Sequence, residues 1–596
     1  MAAPSAQSLF EQGLALHQAG QLEAARALYE QALREDPGHF DASHLLGVIL
    51  VQAGEAPAGV ALIERAVAAR PNEVAALSNL GWALAEAGRL DEAVAAYDRA
   101  LEFDPGYAPG HFNRANALRD RGSLIDALAS YDRVLGLQPN FAEAWVNRGA
   151  VLERLRRPED AAQSFERAAS IRPDMAEAHA NLAKVLNDLK RSDEALASAE
   201  RAIALTPASA AAHNHQALAL YDLRRLDEAL TAADRAIALD AQYPEAHNSR
   251  AITLFDLRRL DEAVASCDRA LAIRPDFAPA HLNRATSLLS LGDLARGFEE
   301  YRWRWRVNGF QPAIARLRPA WEGQNLSGRS ILIYGEQGFG DHLQFSRYVA
   351  GVARMAARTA LVTEPALLTL FRRSYPGVDV STGVAEEAAF DFQVALLDLP
   401  RALGTALKTI PADIPYLAAD PADVARWADR FAGYRGRKVG LVWAGDTHAG
   451  RPAGAAVDRR RSLRLDQFAP LARVEGAIFF SLQKGEPAAQ ATSPPDGLKL
   501  IDPTAALSDF SDTAALIENL DLVIAVDTAV AHLAGALGKP VWILSRYEGD
   551  WRWLNGREDS PWYPTARIFH QRAAGAWDEV VYRVTAALSL LAGAAS

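Results

Sequence analysis

The sequence predicts an all-α superhelix of paired helices, followed by an α/β region made of two domains with parallel, doubly wound sheets. Two observations predict this fold class. A repeat with a period of 34 residues runs over about residues 6–311 without an insertion. In the rest of the chain, short apolar segments alternate with helical ones, which is typical of parallel sheets with crossover helices. The length of 596 residues agrees with about three or four domains.

The repeat is visible in a phrase, Leu-Asp-Glu-Ala, that occurs at residues 90–93, 226–229 and 260–263. If position 1 is the first residue of each repeat (Val74 in the third), positions 8 and 20 hold only Gly or Ala in all nine repeats. Small residues there let two helices approach closely, and a Pro near position 32 ends the second helix. The pattern resembles the tetratricopeptide repeat, in which two antiparallel helices per unit stack into a superhelix with a concave groove.

Position 6 carries a row of asparagines along the predicted groove. An Asn side chain offers both a donor and an acceptor, so it can bind a peptide backbone without reading side chains. A resemblance to the O-GlcNAc transferases, whose repeat groove carries such a row, favours this interpretation. The alternative is that each Asn caps or bridges neighbouring helices. The predicted acceptor-binding residues are Asn79, Asn113, Asn147, Asn181 and Asn283, with His215 and Ser249 at the same position in the repeats between.

Position 4 carries a second row, of aromatic rings, which contains five of the thirteen histidines. Stacked helices lie about 8–10 Å apart, whereas zinc holds each ligand atom at about 2 Å, so histidines one repeat apart are too distant to share an ion. We therefore predict a packing role for this row. Its members are His111, Trp145, His179, His213, His247 and His281.

Composition excludes several classes of protein. Lys and Arg number 63 against 74 Asp and Glu, a net charge of −11, which argues against nucleic-acid binding. Cys267 is the only cysteine, so an internal disulfide and a four-cysteine zinc site are excluded, and the predicted location is a reducing cytoplasm. The sequence shows neither a secretory leader nor about 18 consecutive apolar residues, so we expect no membrane insertion. The basic and aromatic run at 301–306 is compatible with single-strand binding, but we predict a junction packed against the next domain.

The α/β region is predicted to divide near residues 418–437, a helical and polar stretch. The predicted domains are the repeats at 1–311, a first sheet domain at 312–420, and a second sheet domain with a closing helix at 421–596. Two such domains place a cleft between the carboxyl ends of their strands. Strands are predicted at 331–334, 360–363, 392–396, 439–443, 477–482, 522–526 and 541–544, and helices at 341–358, 365–374, 421–432, 512–519 and 529–537.

The first candidate site is the glycine-rich loop at 335–342, which directly follows a predicted strand. Gly338 and Gly340 let the backbone approach a ligand and turn into a helix that Asp341 would begin. Asp341 is either an N-cap, a common role for Asp, or a carboxylate exposed in the cleft as a general base. If Asp341 is not the base, His342 is the predicted substitute. The glycine spacing is wrong for a dinucleotide fingerprint.

Two further candidate sites follow other predicted strands. Asp527 and Thr528 lie where a helix begins, and a helix N-terminus favours a phosphate. A carboxylate there can bind ribose hydroxyls, and His532, one turn along, can face the cleft. Lys484 ends another strand and is predicted to neutralise a leaving phosphate, the alternative being a solvated loop lysine.

These segments resemble the GT-B glycosyltransferases, and within them the ADP-heptose–lipopolysaccharide heptosyltransferases, over most of residues 325–575. The resemblance implies two Rossmann-like domains, with the acceptor side in the first and the nucleotide-sugar side in the second. It implies a catalytic base at Asp341 and donor binding around Asp527. The matching motifs are Gly340-Asp341, Asp527-Thr528, His532-Leu533-Ala534 and Gly538-Lys539-Pro540.

The whole architecture resembles bacterial tetratricopeptide proteins with a C-terminal glycosyltransferase, among them the flagellin glycosyltransferases. The runs Trp551-Arg552-Trp553 and Trp562-Tyr563-Pro564 are typical of that group. The resemblance implies that the repeats hold flagellin while the C-terminal part transfers a nonulosonic acid to Ser or Thr. The implied donor is CMP-pseudaminic acid or a relative.

The chemistry also favours a particular mechanism. A Ser or Thr hydroxyl needs a base within hydrogen-bond reach, and a helix N-terminus with a nearby cation can stabilise the departing phosphate. No Asp-x-Asp pair suggests a metal-held diphosphate, so we predict a metal-independent, inverting transferase without a cofactor. Two alternatives remain open. One is a lipopolysaccharide or other glycan transferase of heptosyltransferase type, and the other is an inactive repeat scaffold.

Overall fold

The computed structural model describes residues 4–307, 315, 318–383, 389–445 and 458–593. The chain forms two compact units, Met1–Asp240 and Ala241–Ser596. The predicted fold class is confirmed, since stacked helix pairs precede a region with two parallel sheets. The predicted domain limits at residues 311 and 420 stay predictions. Among the described residues, no helix is long and apolar enough to cross a membrane.

The described part of the first unit consists of helix pairs that follow the 34-residue period. Small residues at positions 8 and 20 are needed because the two helices of a pair nearly touch: a Cβ on Gly47 would lie 2.8 Å from the carbonyl oxygen of Gly59. The helices are α1 (Ala6–Gln18), α2 (Leu22–Glu35), α3 (Phe40–Gln52), α4 (Ala56–Ala69), α5 (Val74–Glu86), α6 (Leu90–Phe103), α7 (Ala108–Arg121), α8 (Leu124–Leu137), α9 (Ala142–Arg154), α10 (Pro158–Ile171), α11 (Ala176–Asp188), α12 (Ser192–Leu205), α13 (Ala210–Asp222) and α14 (Leu226–Leu239).

The ring at position 4 makes the same hydrogen bond in six repeats. A ring nitrogen bonds the backbone carbonyl six residues earlier, in the turn that precedes its own helix, at 2.8–3.2 Å. This shared bond ties each turn to the following helix, so the predicted structural role is confirmed. The pairs are His111–Pro105, Trp145–Pro139, His179–Pro173, His213–Pro207, His247–Ala241 and His281–Pro275.

The second unit begins with two more repeats. Their helices are α15 (Pro244–Asp256), α16 (Leu260–Ile273), α17 (Ala278–Leu291) and α18 (Leu294–Tyr301), followed by the short α19 (Arg304–Val307). The side chains of Phe298 and Tyr301 pack on Trp551 of the α/β region, with ring centroids 5.7 and 5.9 Å apart. The run at 301–306 therefore lies in a packed junction, as predicted.

The first sheet has four parallel strands in the order β3-β2-β1-β4. The predicted helix at 341–358 is interrupted by a 3-10 turn at Ser346–Tyr348, and residue 358 already belongs to β2. The elements are β1 (Ser330–Tyr334), α20 (Phe339–Phe345), α21 (Val349–Met355), β2 (Arg358–Val362), α22 (Leu368–Ser374), β3 (Asp379–Ser381), β4 (Phe392–Ala395) and α23 (Leu399–Ala402).

The second sheet has six parallel strands in the order β10-β9-β8-β5-β6-β7. Strands β3, β7 and β10 escaped the sequence analysis because two of them are very short and β10 is an edge strand with an exposed Arg567. The elements are α24 (Pro421–Phe431), β5 (Arg437–Val442), β6 (Ala477–Ser481), β7 (Leu500–Ile501), α25 (Phe510–Glu518), β8 (Leu522–Val526), α26 (Ala529–Ala536), β9 (Val541–Ser545), β10 (Ala566–His570) and α27 (Trp577–Gly593).

Candidate functional site

Asp341 lies in the first turn of α20, three residues after the N-cap Gly338. One carboxylate oxygen accepts the backbone N–H of Gly338 at 3.2 Å, and the other is paired with the guanidinium of Arg552. The Asp341 side chain is 13% exposed. Asp341 therefore braces the loop from inside the helix, and its second oxygen faces a cation that comes from the other sheet domain.

His342 lies beneath the glycine-rich loop and is 2% exposed. A Cβ on Gly335 would lie 1.9 Å from the imidazole ring, so only glycine fits above His342. Its Nδ1 is hydrogen-bonded to the Thr363 hydroxyl at 3.1 Å, and burial lowers its pKa to about 4. The structure thus gives His342 a packing role beside its predicted role as a substitute base, which stays a prediction.

Asp527 directly follows β8 and lies next to His532 of α26, with 3.9 Å between carboxylate and ring nitrogen. Nδ1 of His532 is hydrogen-bonded to the Tyr563 hydroxyl at 3.0 Å, and the Trp553 ring stacks on the imidazole at 5.1 Å. Burial, aided by the charge of Arg552, lowers the pKa of His532 to about 3. The imidazole is therefore neutral at physiological pH and holds its neighbours in place by hydrogen bonding and stacking.

The pKa of the Asp527 carboxyl is shifted in the opposite direction, upwards. Burial, together with the negative charge of Asp550, raises its pKa to about 6, although nearby arginines oppose the change. Thr528 is the N-cap residue of α26, and its hydroxyl is buried without a hydrogen-bond partner among the described residues. A carboxylate and an unpaired hydroxyl at a helix N-terminus are groups that can receive a ligand with hydroxyl and phosphate groups.

Gly338 is the N-cap residue of α20, and Gly340 lies in the first turn of that helix. A Cβ on Gly340 would come within 3.0 Å of the His532 ring, so this glycine allows α20 to approach α26. Gly338 has open space around it, since a Cβ there would meet only the Asp341 carboxylate, at 3.8 Å. The loop therefore joins the two sheet domains at Gly340 and leaves room beside Gly338.

Lys484 points its ammonium group at the protein backbone. It donates to the carbonyl oxygens of Thr504, at 3.1 Å, and Leu507, at 2.9 Å. These bonds secure the segment that leads into α25. The predicted contact with a leaving phosphate stays a prediction, for which the third N–H of the ammonium group would be the donor.

The sequence analysis missed a group of arginines. The Arg552 side chain, 11% exposed, pairs with Asp341 and also with Asp550 at 3.0 Å. Burial disfavours the charge on Arg552, but these two carboxylates raise its pKa well above the ordinary value. Arg461 pairs with Asp458, while Arg460 and Arg546 approach Glu548 at 3.2 and 3.8 Å. Their common signal in the sequence is position: each follows a strand of the second sheet.

The asparagine row divides into two kinds of residue. Asn79 is hydrogen-bonded to His44 at 2.9 Å, which bridges consecutive repeats. Asn147 and Asn283 donate in the same way to Asn116 and Asn248, at 3.1 and 2.8 Å. The bridging alternative therefore applies to these three. Asn113 and Asn181 are half-buried, and the described residues provide no side-chain hydrogen bond for either of them.

The repeats and the α/β region match different protein families. The tetratricopeptide repeat model matches residues 2–40, 10–73, 44–108, 112–176, 154–210, 180–244, 214–278 and 248–302, so the chain belongs to the tetratricopeptide repeat family. The model of glycosyltransferase family 9 (heptosyltransferase) matches residues 501–548, which include β8, α26 and β9. The protein is thus a tetratricopeptide repeat protein with a C-terminal glycosyltransferase family 9 region.

One curated relative is Protein FlbA of Caulobacter vibrioides, 29% identical over 332 residues, which are 50% of this chain and 53% of the relative. The chain therefore spans about half the length of that relative. Among solved structures, YrrB, described as a TPR protein with an unusual peptide-binding site, is 22% identical and covers 31% of this chain and 95% of its own, with a TM-score of 0.29. PilF of Pseudomonas aeruginosa is 21% identical over 36% of this chain and 96% of its own, with a TM-score of 0.32.

Proposed function

We propose that the protein is a protein O-glycosyltransferase that moves a sugar from a nucleotide-activated donor to Ser or Thr of a protein held by the repeats. The observation that carries the proposal is the meeting of Asp341 and Arg552 between the carboxyl ends of the two sheets. In doubly wound sheets, ligands bind at that edge. The match to glycosyltransferase family 9 supports the reaction class.

Asp341 is the proposed base. The acceptor hydroxyl loses its proton to the Asp341 carboxylate while its oxygen forms a bond to the anomeric carbon, and the bond from that carbon to the phosphate oxygen breaks. This single displacement inverts the configuration. Pairing with Arg552 holds the Asp341 carboxylate at the edge where the two sheets meet. When donor binds, its phosphate competes for the guanidinium, and the Asp341 oxygen becomes available to the acceptor hydroxyl.

The second sheet supplies the proposed donor site. Asp527 would accept hydrogen bonds from ribose hydroxyls, and the N-terminus of α26 at Thr528 would face the phosphate. Arg552 and Arg461 add guanidinium groups, whose fork of N–H donors suits phosphate oxygens. These groups can stabilise the charge that develops on the leaving group without a metal ion. Chelator is accordingly expected to leave transfer intact, and a strict requirement for a divalent metal would contradict this arrangement.

The repeats are the proposed binding site for the protein acceptor. Tetratricopeptide repeats present extended concave surfaces for peptides and proteins. The most specific candidate is flagellin as acceptor, with CMP-pseudaminic acid or a related nonulosonic acid as donor. Within the asparagine row, Asn113 and Asn181 are best suited to contact the backbone of the acceptor, since their amides are not engaged in the bridging bonds described above.

Intact-mass spectrometry tests the proposal. Purified full-length protein is incubated with flagellin and CMP-pseudaminic acid, and Asp341→Asn protein serves as the inactive control. A mass increase of flagellin equal to whole sugar residues, absent with the control, is the expected result. Donor hydrolysis without any change of flagellin mass would contradict the assignment of this acceptor.

A second candidate function is transfer to a glycan, because the matching family is described as a heptosyltransferase family. The same assay with ADP-heptose and lipopolysaccharide core as substrates distinguishes it. Modification of the core oligosaccharide but not of flagellin would favour this alternative. If the protein neither hydrolyses nor binds any nucleotide sugar, the result would favour an inactive scaffold.

A further inference from the structure

The last repeat differs from the other eight at a buried position. Position 27 is a small apolar residue in repeats one to eight but Arg304 in repeat nine, and Arg304 is 2% exposed. A buried guanidinium is costly unless it is paired, so packing between repeats does not account for it. The equivalent residues, none more than 1% exposed, are Ala32, Ala66, Ala100, Val134, Ala168, Ala202, Ala236 and Ala270.

Arg304 binds the carboxyl end of the first sheet. Its guanidinium donates to both carboxylate oxygens of Glu336, at 2.5 and 3.2 Å, and to Asp398 at 2.9 Å. Glu336 belongs to the glycine-rich loop, and Asp398 follows β4, the strand beside β1. Burial raises the pKa of Glu336 to about 7, and Arg304 opposes that change. Arg304 therefore secures the loop five residues before Asp341.

The next residue of the same loop has a strained backbone. The φ of Gln337, +63°, lies in the left-handed region that non-glycine residues rarely adopt. The bonds from Arg304 to the adjacent Glu336 help to maintain this backbone. Helix α18 ends at Tyr301, position 24, whereas the other second helices continue to position 30, so Arg304 begins the separate helix α19.

The last repeat also contacts the loop that carries Arg552. The Trp551 ring packs edge-on against Phe298 at 5.7 Å and beside Tyr301 at 5.9 Å. These residues share one buried core with both sheet domains. The segments that carry Asp341 and Arg552 are therefore contacted by two short helices of the last repeat, α19 and α18 respectively.

We propose that Arg304 is a positioning residue of the transferase site, so that the last repeat is part of the catalytic unit. This inference rests on the proposed function. The competing interpretation is a plain structural junction. Such a junction needs apolar packing only, whereas the Arg304 guanidinium is hydrogen-bonded to a carboxylate of the glycine-rich loop.

The test compares full-length Arg304→Lys and Arg304→Met proteins with Arg284→Met. Arg284 also pairs with two carboxylates, Asp268 and Glu300, but neither belongs to the glycine-rich loop, so it is a matched control. Steady-state kinetics give kcat and the KM of donor and acceptor. Hydrogen–deuterium exchange is followed in peptides that cover residues 335–341 and 550–554.

We expect kcat to fall about 10–100-fold in Arg304→Met, because small displacements of reacting groups are costly. The KM of the protein acceptor should not change, Arg304→Lys should recover part of the rate, and Arg284→Met should match wild type. Exchange at residues 335–341 should be at least about tenfold faster in Arg304→Met, while core peptides keep their protection.

Wild-type kcat and wild-type loop exchange in Arg304→Lys would overturn the inference, whether or not Arg304→Met folds. A loss of thermal stability equal to that of Arg284→Met, with no effect on either loop, would also reduce Arg304 to core packing. Exchange needs no transfer reaction. If wild-type protein transfers no sugar, the proposed function fails, and the exchange data still decide whether the last repeat orders the loops.

Discussion

The two compact units differ in the kind of polar residue that they bury. Among the described residues 4–240, the buried polar side chains are Ser, His and Asn, with no Lys, Arg, Asp or Glu. The described part of 241–593 buries several charged residues. These are Asp256, Arg304, Glu336, Arg347 and Asp458.

This difference agrees with the proposed division of labour. Taking a charge out of water costs several kcal/mol, and perturbed ionisable groups collect at functional sites. The repeats of the first unit place their charges in exposed pairs such as Arg89–Glu92 and Arg225–Glu228, whose attraction is screened by solvent. Under the proposed function, the first unit recognises the acceptor and the second carries the reaction, and the following experiments test that division.

The largest expected effect is that of Asp341→Asn in the second unit. The amide keeps the shape and still accepts from Gly338, but it cannot take up the acceptor proton. We expect sugar transfer to fall about 10²–10⁴-fold with little change in thermal unfolding. Initial rates of transfer to flagellin measure the effect.

Asp391→Asn is the matched control for that experiment. Asp391 belongs to the same domain but bonds the N–H of Ser330 at 2.8 Å, at the opposite edge of the first sheet. Its replacement should leave turnover at the wild-type level. Near-normal turnover in Asp341→Asn would reduce Asp341 to a residue that braces the loop.

Arg552→Met should weaken nucleotide binding by about 10–100-fold. This range corresponds to the loss of a charged hydrogen bond worth about 1.5–3 kcal/mol. Calorimetry with nucleoside mono- and diphosphates measures it, and Arg557→Met, which removes only an exposed pair with Asp559, is the control. Equal affinities in the two variants would move the phosphate site away from Arg552.

The same calorimetric titrations test the other proposed donor-binding residues, with Asp527→Ala, Thr528→Ala and Lys484→Ala proteins. Each substitution is expected to weaken nucleotide binding while acceptor binding survives. For Lys484 a loss of thermal stability should accompany the effect, because its ammonium bonds two carbonyl groups. Unchanged affinity in all three variants would place the donor elsewhere.

Donor binding should depend on pH through Asp527. Its raised pKa of about 6 means that the carboxylate, which accepts from hydroxyl groups, is lost as the pH falls below that value. One pH unit below the pKa leaves about a tenth of the carboxyl ionised, so the affinity for nucleotide should fall about tenfold between pH 7 and pH 5. Asp527→Asn should remove this pH dependence, and a wild-type affinity that is flat over that range would contradict the role.

The smallest effects are expected in the asparagine row of the first unit. Asn113→Ala with Asn181→Ala should weaken acceptor binding, each bond being worth about 0.5–1.5 kcal/mol or about 2–12-fold. Asn79→Ala with Asn147→Ala should instead lower the free energy of unfolding, because both side chains bridge repeats. Wild-type acceptor affinity in both double variants would leave the row a purely structural feature.

Local chemistry explains how much of the fold could be predicted. The 34-residue period, the small residues at positions 8 and 20 and the central strands all follow from the spacing of apolar and small residues along the chain. The sites after β1 and β8 were also predictable, because glycine-rich and helix-starting segments at strand ends lie at one edge of a parallel sheet. The short strands β3 and β7 carry too few residues to show a pattern.

The amino-acid sequence alone therefore specified the repeat architecture, the two sheets and the neighbourhood of Asp341 and Asp527. Which groups meet there was decided by the tertiary structure. Arg552 pairs with Asp341 from 211 residues away, and Lys484 donates to the backbone carbonyls of Thr504 and Leu507. The Arg552 contact depends on the packing of distant elements, whereas periodicity and turn chemistry report only on neighbours along the chain.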